Sequence, residues 1–94
     1  MAVARVVEFD GVDKQRVEEM VRDLEGGERP ADVPATEFVM LHDPDRDRML
    51  VIFFFDSQSD YDKGDAALNA MPSGDTPGRR TAVTRYDVAA RMTA

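Results

Sequence analysis

The chain has 94 residues, 43% of them hydrophobic and 33% charged, with a formal net charge of −7. That mixture folds as one globular domain over residues 1–94, and the acidic surplus argues against partners made of nucleic acid or anionic membrane. Cysteine is absent, which removes disulfides, thiolate nucleophiles and thiolate metal sites, and fits a reducing cytoplasmic location. The opening MAVARVVEFDG carries acid and glycine where a signal peptide needs a continuous apolar segment. No run approaches the ~18 apolar residues of a membrane span.

Val3 to Phe9 is valine-rich and stops at Asp10-Gly11, a strand followed by a breaker. Between Asp13 and Glu25, Val17, Met20, Val21 and Leu24 recur at helical spacing with Arg and Glu between them. Asp13 is placed to cap this helix, Val12 and Val17 to staple it, and Gly26-Gly27 to end it in a left-handed cap. The stretch 26–35, GGERPADVPA, reads as an exposed loop long enough to act as a flap.

From Thr36 to Asp56 two apolar runs flank Asp43-Pro44-Asp45-Arg46-Asp47-Arg48, where Pro presets φ and Asp bonds local backbone. This is a β-hairpin. With Pro44 to Asp47 as the turn, Asp43 faces Arg48, His42 faces Met49, Met40 faces Val51 and Phe38 faces Phe53. Strand alternation then sorts Phe38, Met40, His42, Met49, Val51, Phe53 and Phe55 to one side and Val39, Leu41, Leu50, Ile52 and Phe54 to the other. Ser57 to Asp60 matches the S-x-x-D start of a second helix, with Tyr61, Ala67, Leu68 and Met71 as its thin apolar stripe. Gly64 weakens its middle by about 1 kcal/mol relative to Ala, and Pro72 stops it. Residues 73–80 read as a polar loop, and Thr81 to Met92 as the closing strand.

The order strand, helix, strand, strand, helix, strand with right-handed crossovers predicts a ferredoxin-like α+β fold: a four-stranded antiparallel sheet with both helices on one face. The other face is apolar too, and left bare it would exceed the ~300–600 Å² of a typical monomer's largest patch. A second copy packed sheet against sheet, an isologous homodimer, is the economical cover.

The βαββαβ order, the run FVMLHDPDRDRMLVIFFFDS from Phe38 to Ser57 and the closing TRYDVA resemble the dimeric α+β barrel superfamily, and within it the small antibiotic-biosynthesis-monooxygenase-like proteins. The resemblance covers nearly the whole chain. It implies a β-barrel homodimer with a small apolar cavity per subunit and, as activity, cofactor-independent oxidation of a small aromatic compound. Phe55 stands where relatives often carry Trp. The haem-degrading members place a histidine on the second helix, whereas the single histidine here, His42, closes a strand, so no cofactor is expected. The alternative is a non-catalytic dimeric module that binds a small molecule or a protein.

His42 has the one side chain with an unperturbed pKa near neutrality and is a candidate general base; the ordinary reading bonds it to Asp43 or Asp45. Tyr61 and Tyr86 can each orient a substrate or donate a proton from a cavity, or sit in the core with the hydroxyl at its rim. Arg5, on a strand expected to be central, must be paired, with Glu8, Asp87 or a ligand's anionic group as partners. Phe55 and Met40, with Met49 and Phe53, suit an adaptable apolar pocket or a dimer core. These choices make His42 and Tyr61 the catalytic candidates and Arg5, Tyr86, Phe55 and Met40 the substrate-binding ones. Asp43, Asp45 and Asp47 resemble the start of a calcium loop, but Arg48 and Phe54 stand where that loop needs glycine and glutamate, so no metal is expected. Arg79-Arg80 after Gly78 can hold an anion or be solvated, and the Gly74 to Gly78 spacing lacks the lysine of a phosphate loop.

Overall fold

A computed structural model describes residues 2–26, 33–70 and 78–93. The elements are β1 (Val3–Asp10), α1 (Lys14–Glu25), β2 (Glu37–Asp43), β3 (Arg48–Phe55), α2 (Gln58–Asn69) and β4 (Arg79–Asp87). All four strands join one antiparallel sheet in the order β2-β3-β1-β4, the ferredoxin-like α+β arrangement. The expected Met71 and Pro72 at the end of α2, and Gly74 beyond them, lie outside the described residues.

The hairpin has the register its alternation predicts: Asp43 opposite Arg48, His42 opposite Met49, Met40 opposite Val51 and Phe38 opposite Phe53. Asp43 starts the turn by accepting the Asp45 N–H at 3.1 Å and an Arg46 Nη1 bond at 3.1 Å. The Arg46 guanidinium holds its carboxyl below the ordinary range. Asp47 ends the turn in the left-handed region at φ 50°, which aspartate tolerates because its short side chain bonds local backbone. In that pose the Asp47 carbonyl receives the Val12 N–H at 2.8 Å.

Both helix starts carry the expected caps, with Asp13 accepting from the Arg16 N–H at 2.9 Å and Ser57 from the Asp60 N–H at 3.1 Å. At the end of α1 the cap differs from expectation. Gly26 has φ −74° and ψ 0°, a right-handed conformation, because its N–H still completes the last helical turn by bonding the Arg22 carbonyl at 2.9 Å; Gly27 lies outside the described residues.

The core occupies the helix side of the sheet: Val3, Val7, Phe9, Met49, Val51, Phe53 and Phe55, joined by Val12 and Tyr61. Val17 and Met20 of α1 and Leu68 of α2 pack against it, so both helices cover the same face. Gly64 has a packing reason. A Cβ there would stand 2.5 Å from Phe55 Cε1, so the missing side chain lets α2 settle onto the fully buried Phe55 ring.

The closing strand runs from Arg79 to Asp87 rather than from Thr81 to Met92. Its span follows its partner: Asp10 and Phe9 pair with Arg79 and Arg80 at one end, and Asp87 meets Val3 at the other, where β1 begins. Beyond Asp87 the Val88 N–H bonds the Ala2 carbonyl at 2.9 Å. Arg91 then stacks 4.4 Å over Phe54 and pairs with Glu37 at 3.5 Å, so the segment 88–93 crosses that end of the face turned away from the helices. This explains why Ala4, on that face, is only 6% exposed. The face expected to be bare is thus strapped at one end, while Leu41 and Tyr86 on it remain 50% and 55% exposed.

Between Glu8 and Phe9 the β1–β4 register slips, leaving Thr81 as an extra residue whose hydroxyl donates to the Glu8 carbonyl at 3.3 Å. A bulge of this kind reverses the facing of whatever precedes it. Arg80 is thereby turned to the helix side, opposite Phe9.

Candidate functional site

Arg5 is the most buried charge among the described residues, at 2% exposure, and α2 supplies its partners. Its Nε donates to Asp65 Oδ1 at 2.8 Å and its Nη2 to Asn69 Oδ1 at 3.1 Å. Asn69 Nδ2 donates in turn to Asp65 Oδ2 at 3.3 Å, so two residues one helical turn apart hold one guanidinium. The partners expected from sequence are corrected. Glu8 lies three positions from Arg5 and so on the opposite face, and Asp87 is engaged by Arg85 at 2.8 Å.

Tyr61 lies beside this group, 9% exposed, with its ring edge-on to Phe55 at 5.7 Å and the Arg85 guanidinium 6.0 Å from its centroid. Arg85 Nε also donates to Gln58 Oε1 at 2.7 Å. Burial, and after it the Asp65 carboxylate, pushes the Tyr61 hydroxyl above its ordinary range, against an opposite pull from Arg5 and Arg85. A raised pKa means that the folded state resists ionisation: its contribution is intact below the unfolded value of about 10 and is lost as pH rises through the folded value. Urea midpoints measured from about pH 9 to pH 11 are expected to fall less steeply in Tyr61→Phe than in the unchanged chain.

His42 has a different employment. Its Nε2–H donates to the Val12 carbonyl at 2.9 Å, not to Asp43 or Asp45, because a strand side chain on the helix side points toward the β1–α1 junction rather than along the turn. With the Val12 N–H held by Asp47, both polar groups of one fully buried residue are tied to the hairpin.

The structure therefore brings Arg5, Tyr61 and Phe55 to one end of the helix side and puts His42 at the other. Met40 shares that side on the outer strand β2, half-buried against the core. Tyr86 is on the opposite face, paired with Ala4. Sequence reasoning missed Asp65, Asn69 and Arg85, and raised Arg80 only within an Arg79-Arg80 pair that holds an anion or is solvated. The signal for the first two was present, since they flank Tyr61 and Leu68 at helical spacing beneath a strand that carries a charge.

Arg80 adds a second cation, donating from Nη1 to the same Asn69 Oδ1 at 3.1 Å. Farther round α2 an open groove of 630 Å³ is lined by Val33, Pro34, Lys63, Ala66 and Ala67, none of them a predicted site residue. Among the described residues no acidic or histidine cluster could hold a metal ion, and no helix is long and apolar enough to cross a membrane. Comparisons with protein-family models, curated proteins and solved structures return no match.

Proposed function

We propose that this protein is a homodimeric small-molecule-binding module, in which the sheet faces of two copies close on each other and the helix side of each copy holds a small aromatic ligand. The observation that carries the assembly is the make-up of the face turned from the helices. Its centre is largely apolar, with Val6, Val39, Leu41, Leu50, Ile52 and Tyr86, and carries Thr84 opposite Val6 and, one row in from Asp10, Glu8 opposite Leu50 and Ala82. One end is bounded by Asp10 with Arg48 and Arg79 at 3.2 and 3.8 Å, the other by Arg91 with Glu37. An apolar centre inside a charged rim is the anatomy of a protein interface, and a second copy offers the same apolar strip in a two-fold arrangement.

The ligand side rests on the uncovered row of β4. α2 packs over β1 and β3, which leaves Val83, 38% exposed, between Arg80 and Arg85 beside the Tyr61 ring. Cofactor-independent oxidation is the chemistry that the family resemblance raises. Binding is favoured over it because the candidate base and the candidate phenol do not converge: His42 is level with Met49 and Tyr61 with Phe55, opposite ends of β3 and ~20 Å apart along the strand.

Light scattering at tens of micromolar, roughly the range where standard-size interfaces persist, is expected to return twice the 10.5 kDa chain mass. Leu41→Glu, which places a charge in the apolar centre, should return a folded single chain. A single-chain mass for the unchanged protein would overturn the assembly.

A further inference from the structure

We infer that the junction of Arg5, Asn69 and Arg80, between α2 and β4, is a site for the carboxylate of a small aromatic acid. The inference rests on the reading of β4's open row as a ligand surface and adds to it the ligand's charge.

The argument starts from Asn69 Oδ1. One neutral amide oxygen accepts from two guanidinium groups at 3.1 Å each, so the two cations stand within two hydrogen-bond lengths of each other. Among the described residues one carboxylate answers them. Asp65 is bonded to Arg5 at 2.8 Å, and among the described residues Arg80 meets no carboxylate. Arg85 does not alter this balance, because Asp87 matches it at 2.8 Å. In a chain of net charge −7, the described residues of the junction hold one positive charge in excess. Two neighbouring guanidinium groups with one carboxylate between them favour an added anion.

A planar monoanion fits the excess. Guanidinium groups present paired donors that match the two oxygens of a carboxylate, and Arg80, exposed on the helix side, can turn such a pair toward a ligand at Asn69. The β-bulge at Thr81 is what brings Arg80 to this side; with a regular register it would point to the dimer face. From the carboxylate, the row of β4 continues over Val83 to Arg85, whose guanidinium already lies against the Tyr61 ring. An aryl group laid along that row would meet an apolar floor and a cation suited to an aromatic face.

The test titrates the full chain at constant ionic strength with benzoate, benzamide and acetate, by calorimetry and by thermal shift. Benzoate is expected to bind saturably and raise Tm, and benzamide, the neutral counterpart, to bind at least about tenfold more weakly. Arg80→Gln removes the second cation, and Asn69→Asp supplies a carboxylate from within the chain. Each should weaken benzoate at least about tenfold while cooperative melting persists. Acetate binding as tightly as benzoate would uphold the anion junction and remove the aromatic surface from the proposed function. Benzamide matching benzoate would overturn the carboxylate site and leave that surface standing. Absence of saturable benzoate binding, or unchanged benzoate affinity in both variants, would likewise overturn it.

Discussion

Asp65→Ala is expected to destabilise the fold more than any other change to a polar side chain described above. The substitution leaves Arg5, 2% exposed in a central strand, without the carboxylate that pairs with it at 2.8 Å. Breaking a buried ion pair from one side costs about 3–5 kcal/mol, because the stranded charge has already lost its water. Two features lower that figure here: Asp65 is 33% exposed on its side chain, and Asn69 keeps its bond to Arg5. A loss of about 2–3 kcal/mol is therefore expected, read as a lower urea midpoint at unchanged slope. Asn69→Ala, which removes a neutral acceptor, should cost about 1 kcal/mol. The decisive comparison is Arg5→Met with Asp65→Leu. Replacing both partners by apolar residues of similar size removes the desolvation cost along with the attraction, so the double variant should recover most of the stability lost by Asp65→Ala. If Asp65→Ala alone left the midpoint in place, Arg5 would not depend on this carboxylate, and the account of the junction would fall with it.

The parts of this molecule that were legible in its sequence are those fixed by neighbours along the chain. The hairpin register follows from one turn, Asp43 to Arg48, and from two runs that each obey a period of two; once the turn is placed, every cross-strand partner is determined. The helix starts at Asp13 and Ser57 are legible for the same reason, since a cap and the N–H it receives lie three residues apart. What escaped the sequence depends on distant chain. β4 begins at Arg79 because Asp10 and Phe9 need partners for their backbone, not because Arg79 and Arg80 favour a strand. The bulge at Thr81, which decides the face Arg80 presents, has no local signature such as glycine.

His42 illustrates the limit for sites. Its partner is the backbone carbonyl of Val12, thirty residues upstream in the chain, and no side-chain pattern announces a backbone acceptor. The acids of the adjacent turn were the nearest candidates in sequence, and in space the first of them, Asp43, is occupied by Arg46 and the Asp45 N–H. Arg5 was legible halfway: a charge in a central strand required a partner, but Glu8, named among the candidates, lies on the opposite face by strand alternation. Choosing Asp65 required knowing which helix face lies over β1, which only the packed structure provides.

Gly64→Ala separates local propensity from packing, because the two predict opposite signs. In an isolated helix the change should stabilise by about 1 kcal/mol. In this protein the new Cβ would fall 2.5 Å from Phe55 Cε1 and 2.6 Å from Phe55 Cζ. The Phe55 ring is fully buried, with Phe53 at 6.5 Å and Tyr61 at 5.7 Å, so it has little room to yield and α2 must lift instead. Overpacking of this sort costs about 1–3 kcal/mol, and lifting α2 also loosens Asp65 and Asn69 from Arg5. A net loss of about 1–2 kcal/mol is expected after the propensity gain is set against it, and Gly64→Val should lose more. The partner change Phe55→Leu, made in the Gly64→Ala background, vacates the space that the methyl needs. The two substitutions should therefore cost less together than the sum of their separate effects, the coupling expected of residues in contact. Strict additivity, or a Gly64→Ala variant more stable than the unchanged chain, would mean that α2 does not rest on Phe55 at this point.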